Sequence, residues 1–171
     1  FFQCFLKLQT YSSIKKKLSF TIVSIVLLLQ LLIPWRYLLY PGELFWTEQG
    51  YLFSWRVMLV EKTGYAMFKI VDEKNKTFFY VNNSDFLTSF QEKQMSFQPD
   101  SILEYAHYLG DHFTSQGHQN VQVFVDCHVA LNGRLSARLV DPNTDLYKQQ
   151  RSFEHKTWIL PFKSDIKIKG I

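Results

Sequence analysis

Between positions 40 and 55 the chain reads YPGELFWTEQGYLFSW. Trp46, Tyr51, Phe53 and Trp55 alternate there with Thr47, Glu48, Gln49 and Ser54. Rigid aromatic walls with hydroxyl and amide groups set between them suit a groove that holds a peptide side chain. On this reading the substrate-binding residues are Trp46, Thr47, Tyr51, Ser54 and Trp55. The same residues also fit a plainer role as an aromatic anchor at a membrane surface, with a turn at Pro41-Gly42.

Other groups with chemical potential are sparser. Glu104, His107 and Asp111 share one face at helical spacing and could bind a metal or shuttle a proton. No second histidine completes a recognised motif, so they read as a solvated face and no metal site is assigned. His112 and His118 read as surface residues, and Asp126 with Arg138 as a structural ion pair. Asn75-Lys76-Thr77 and Asn82-Asn83-Ser84 have the form of glycosylation sequons. The chain has no nucleophile elbow, phosphate loop or triad spacing, so no catalytic residue is assigned within it. Cys4 and Cys127 fall on opposite sides of an apolar stretch, and no bridge is expected between them.

That apolar stretch is the first element that positions the rest. Residues 18–35 read LSFTIVSIVLLLQLLIPW, without a charge. As a helix they span roughly 27 Å, close to the hydrocarbon thickness of a bilayer. Trp35, Tyr37 and Tyr40 supply an aromatic belt, and Arg36 can snorkel. Lys15, Lys16 and Lys17 flank one end and only Arg36 the other, which places the lysines in the cytoplasm and the residues after about 40 in a periplasm or lumen. The chain opens on apolar residues from Phe1. Residues 1–17 are therefore expected to be the end of a preceding membrane segment and a cytoplasmic loop (residues 9–14). The protein itself is expected to be a fragment of a longer one.

Residues 41–171 then form an extracytoplasmic domain. Strand patterns cover 54–62, 64–72 and 76–81, with the polar run 72–76 as a turn. Residues 84–116 are helical in pattern. Pro99 suits a first turn with Asp100 near its positive end, and Ile102, Ala106, Leu109 and Phe113 share a face that Gly117 ends. In VQVFVDCHVALNGRLSARLVDP, the residues Val121, Val123, Val125, Cys127 and Val129 alternate with mostly polar positions, and Asn132-Gly133 marks a hairpin turn. A type I turn with Gly133 in a bulge sets Val129 opposite Leu135, Cys127 opposite Ala137 and Asp126 opposite Arg138. The expected fold is a membrane-anchored α+β protein: one transmembrane helix followed by an antiparallel β domain with a helical insert. At 171 residues there is room for one domain plus an anchor. The net charge of +4 is spread along the chain, which offers no nucleic-acid groove.

The pattern W-T-x-x-x-Y-x-x-S-W at Trp46, Thr47, Tyr51, Ser54 and Trp55 resembles the vitamin K-dependent γ-carboxylase family. The likeness continues in Phe124, Asp126, Val129 and Asn132, in Arg138, in Asp141, Pro142 and Asp145, and in Phe153, Trp158 and Pro161. It runs over roughly residues 37–161 and suggests a bacterial-type relative. The chain departs from animal members at Glu43, where they carry tyrosine, and at Arg56, where they carry aspartate. The resemblance implies a polytopic membrane enzyme with a horizontally transferred transmembrane type N-terminal region. Such lyases convert peptidyl glutamate to γ-carboxyglutamate with carbon dioxide, oxygen and reduced vitamin K. The catalytic lysine lies in that N-terminal region. The segment matching Trp46 to Trp55 is implied to hold the glutamate. A non-catalytic, membrane-anchored peptide- or protein-binding domain is the alternative.

Overall fold

The computed structural model describes residues 2–56 and 58–162, with side chains from residue 15 onward. Helix α1 (Phe2–Leu32) runs without a break. Residues 9–14, expected as a loop, are thus helical, because nothing in YSSIKKK breaks a helix already started. Residues Lys15–Leu39 are long and apolar enough to cross a bilayer, and none of their most apolar eighteen-residue window is buried by the rest of the chain. An apolar surface all round a helix, left uncovered by protein, is stable only in another apolar medium. Pro34 cannot donate to the carbonyl four residues back, and the chain tightens there into a 3-10 turn, Ile33–Leu39. Cys4 lies outside the residues whose side chains are described.

Beyond a short helix α2 (Leu44–Thr47) the domain is a four-stranded antiparallel sheet. Its strands are β1 (Lys62–Asp72), β2 (Thr77–Tyr80), β3 (Val121–Leu131) and β4 (Ala137–Arg138), in the order β2-β1-β3-β4. The two long strands pair over their whole length, from Lys62 opposite Leu131 to Asp72 opposite Val121. Alternation does the rest: Ala66, Phe68, Ile70, Val123, Val125, Cys127 and Val129 all turn to one face and are buried. The helical insert covers that face. It is two helices, α3 (Ser89–Met95) and α4 (Pro99–Ser115), rather than one continuous run. A capping box of Thr88 and Gln91 starts α3, and Pro99 opens α4. Ile102, Ala106, Leu109 and Phe113 of α4 are buried, as their spacing requires. Phe68 meets Tyr105 edge-on at 4.9 Å, and Phe79 meets Phe113 at 5.0 Å. Each such buried apolar side chain stabilises the fold by about 1.5–3 kcal/mol.

Two expectations about strands are corrected. The described residues of 54–61 form no strand, and β1 begins only at Lys62. Phe53, Trp55 and Met58 have φ of 64°, 60° and 60°, and left-handed backbone cannot extend. The sheet also has no partner to offer, since β3 turns away where β1 begins. There Asn132 N donates to Glu61 O, and Glu61 N donates to Asn132 Oδ1. The hairpin register is also displaced. Asn132 (φ 48°) and Gly133 (φ 72°) are both left-handed, and Arg134 N donates to Leu131 O at 3.0 Å. This is the mirror-image two-residue turn, not the bulged type I turn. Pairing resumes late, with Val129 opposite Ala137 and His128 opposite Arg138. The shift is two residues, so every side chain keeps its face. Arg134 has left the ladder to pair with Glu43 at 3.2 Å. Arg138 still reaches Asp126, diagonally, at 3.1 Å.

The turn after β1 is built around Asp72, whose side chain is fully buried. It accepts from Asn75 N at 3.0 Å and from Asn75 Nδ2 at 2.8 Å, and it lies 2.9 Å from His118 Nδ1. His118, expected at the surface, is thus half-buried and hydrogen-bonded to Asp72. The Asn75 backbone amide, then His118, hold the Asp72 carboxyl down to about 2. A depressed carboxyl stabilises the fold fully above its unfolded value near pH 4, and the contribution disappears as pH falls toward 2. Denaturation midpoints are expected to drop between pH 5 and pH 2.5, and Asp72→Asn to flatten that drop. An equally steep acid limb in the variant would assign it to other groups.

Candidate functional site

The aromatic segment is held between the exit of α1 and the last described stretch of chain. Toward α1, Gly50 takes φ +74° and packs on Tyr37 so closely that a Cβ there would lie 2.7 Å from Tyr37 Cα. Only glycine permits that approach. Arg56 Nη2 donates to Tyr37 OH at 2.7 Å, and its guanidinium lies 4.5 Å from the centre of the same ring. Toward the C-terminal stretch, Tyr40 OH donates to Phe153 O, and Gln49 Nε2 donates to Glu154 O. His155 Nδ1 lies 2.8 Å from Gln49 Oε1.

The five predicted site residues do not share one environment. Trp46 is fully buried, its ring 4.5 Å from Phe162 and its Nε1 donating to Leu160 O at 2.7 Å. Thr47 is buried and bonds within its own turn, to Glu43 O. Tyr51 is half-buried, and its hydroxyl donates to Arg56 O at 2.8 Å. Ser54 is buried, and its Oγ has no hydrogen-bond partner among the described residues. Trp55 is 81% exposed. Ser54 and Trp55 line one cleft of about 330 Å³ together with Gln30, Pro34 and Trp35 of the span. Leu52 and Phe53 beside them are also exposed. The segment thus splits into a buried half that fixes its course and an exposed half at the level of the aromatic belt.

Two further clefts lie on the domain side and share Glu48 and Leu52 as a common wall. One, of about 310 Å³, includes Arg36, Asp100, Arg151 and Lys156. The other, of about 450 Å³, includes Phe45, Tyr51, Lys62 and Phe97. Lys156 pairs with Asp100. Between the two clefts Glu48 Oε1 meets the Lys62 ammonium at 2.7 Å. Sequence reasoning passed over Lys62. The signal was its place in the alternation of β1, where Ala66, Phe68 and Ile70 share its face.

Glu104, His107 and Asp111 are not brought together. His107 Nε2 lies 2.7 Å from Gln149 O, and Asp111 accepts from Tyr147 OH at 2.8 Å. Glu104 lines a separate groove with Phe86 and Tyr108. Among the described residues no group of three His, Cys, Asp or Glu side chains is placed to hold a metal ion.

Chemically, the arrangement offers binding. It provides aromatic walls, a hydroxyl without a partner among the described residues, and a buried cation. The family model for the lumenal domain of vitamin K-dependent gamma-carboxylase matches residues 15–165. No solved structure matches the chain.

Proposed function

Since the chain belongs to the vitamin K-dependent gamma-carboxylase family through its lumenal domain, we propose that it presents peptidyl glutamate to a membrane active site supplied by the N-terminal region of a longer parent. The observation that carries this reading is the cleft shared by Ser54 and Trp55 with Gln30, Pro34 and Trp35 at the end of the span. A peptide arrives from water, and a lipid-soluble quinol arrives through the bilayer. A binding surface where the chain leaves the membrane can serve both.

Epoxidation of reduced vitamin K by oxygen supplies a base strong enough to remove the glutamate γ-proton, and carbon dioxide then adds to the carbanion. The resemblance assigns that oxidation to the N-terminal region of the parent, and this domain has a different task. Its work is to hold the peptide where the chain leaves the apolar helix and to present the glutamate side chain from there. Trp55 supplies the exposed wall, and the Ser54 hydroxyl has a free hydrogen-bonding position. Trp46, Thr47 and Tyr51 hold the segment in shape behind them. On this reading the domain lies in a lumen or periplasm, with the peptide as its partner.

The test is incorporation of labelled carbon dioxide into a glutamyl peptide by the full-length protein given vitamin K quinol. Incorporation is expected, and it should fall with Trp55→Ala mainly through a raised KM. Peptide binding without any incorporation, across varied peptides, would instead favour a non-catalytic docking domain.

A further inference from the structure

Lys62 stands where β1 calls for an apolar residue. Its side chain is 1% exposed, and its ammonium donates to Trp46 O at 3.1 Å as well as to Glu48 Oε1 at 2.7 Å. An ammonium has three protons, so among the described residues one donor position is left open. Burial lowers the Lys62 ammonium and raises the Glu48 carboxyl, and their mutual attraction offsets each in part. Glu48 is the looser partner. Its side chain is 27% exposed, and its backbone sits at φ 56°, a conformation that L residues with a Cβ adopt at a cost. It also forms the wall between the two domain-side clefts.

We infer that the Lys62 ammonium is the seat for the γ-carboxylate of bound peptidyl glutamate, and that Glu48 fills this seat until the substrate displaces it. The inference rests on reading the aromatic segment as the glutamate-presenting surface. It seats the glutamate side chain in the cleft of Tyr51, Leu52 and Lys62, and leaves the separate Ser54–Trp55 cleft to the neighbouring residues of the peptide. Glu48 carries the same functional group as the substrate side chain. Exchange therefore swaps one carboxylate for another at a buried cation and leaves the charge at that cation unchanged. The desolvation of the ammonium is already met in the resting fold. Phe45, Tyr51, Leu52 and Phe97 line the substrate's side of the exchange and suit the aliphatic stem of a glutamate. On the other side, the displaced Glu48 finds Arg36, Arg151 and Lys156 along its cleft. A glutamine side chain has no charge with which to displace Glu48, so the same device discriminates between the two side chains.

The test measures binding of a fluorescent glutamyl peptide and its glutaminyl counterpart to the full-length protein in lipid nanodiscs. The wild type should prefer the glutamyl peptide by about tenfold, the scale of one hydrogen bond to a charged group. Glu48→Gln removes the resident competitor and should tighten glutamyl binding by about tenfold, leaving glutaminyl binding unchanged. Lys62→Met should erase the preference, and Lys62→Arg should keep part of it. A folded Lys62→Met variant with the wild-type preference overturns the inference, as does unchanged affinity in Glu48→Gln. If Lys62→Met does not fold, Glu48→Gln decides alone. A wild type without preference removes the glutamate-presenting reading and this inference with it. A wild-type preference that survives both variants removes only the Lys62 assignment.

Discussion

Trp46→Ala is expected to destabilise the domain by about 3–5 kcal/mol, as truncation of a buried tryptophan does. Trp55→Ala, nine positions on, should change stability by less than about 0.5 kcal/mol. The two tryptophans belong to one sequence pattern but to opposite environments. Trp46 has no exposed surface, packs on Phe162 and gives its indole N–H to Leu160 O. Its own carbonyl accepts from Lys62. Removing the ring opens a cavity and leaves a carbonyl without its donor. A domain whose whole stability is about 5–15 kcal/mol has little left after such a loss. Trp55 has most of its surface free, so its removal should be read in peptide capture, by about tenfold, or 1.4 kcal/mol. Urea unfolding and peptide titration of both variants check this. Equal loss of stability in the two would mean that Trp55 is part of the core after all.

Gly64→Ala should destabilise by about 3 kcal/mol through overpacking, although alanine is the smallest replacement available. A Cβ at this position would lie 2.5 Å from Ser96 O and 3.1 Å from Val129 Cγ2. The first of these is backbone, which cannot swing aside. Ser96 caps the end of α3 and is tied to β1 by its hydroxyl, which donates to Gly64 O at 2.9 Å. Its carbonyl accepts from Cys127 Sγ at 3.2 Å. Moving α3 off the sheet therefore also uncovers Cys127. Burial pushes that thiol up to about 12, so in the wild type it should resist alkylation at pH 8. The variant should combine a lower unfolding midpoint with faster alkylation under native conditions. A destabilised variant with a thiol as inert as the wild type's would show that α3 had not moved.

The chain's layers were legible because they follow simple periods. The valines of β3 and the 102, 106, 109 and 113 face of α4 need only alternation and helical spacing to be placed. The polar run after Asp72 needed only the preferences of turn residues. The failures came where backbone handedness decides. Positions 53, 55 and 58 hold phenylalanine, tryptophan and methionine, none of which announces a left-handed residue, so a strand was expected. The hairpin tip was misjudged for a different reason. Arg134 is pulled to Glu43, some ninety positions earlier, and no local pattern encodes that pull. The motif treats the aromatic segment as one unit, whereas the structure divides its residues between two environments. The motif named Trp46 and Trp55 alike, and only the packing separates them. Lys62 lies outside the motif, and its pairing with Glu48 is visible only in the fold.

The close seat of Gly50 on Tyr37 has a mechanical side. With no side chain between them, one wall of the cleft that holds Arg36 and Gly50 rests directly on the backbone at the end of the apolar helix. The soluble domain cannot rock on its anchor as a bead on a string would. A helix whose apolar length differs from the local bilayer thickness adjusts by tilting. Here a tilt would be passed to the cleft walls as leverage rather than absorbed by a slack linker. With this helix in a bilayer, the thickness of the surrounding lipid would be one of the quantities that set the shape of the cleft.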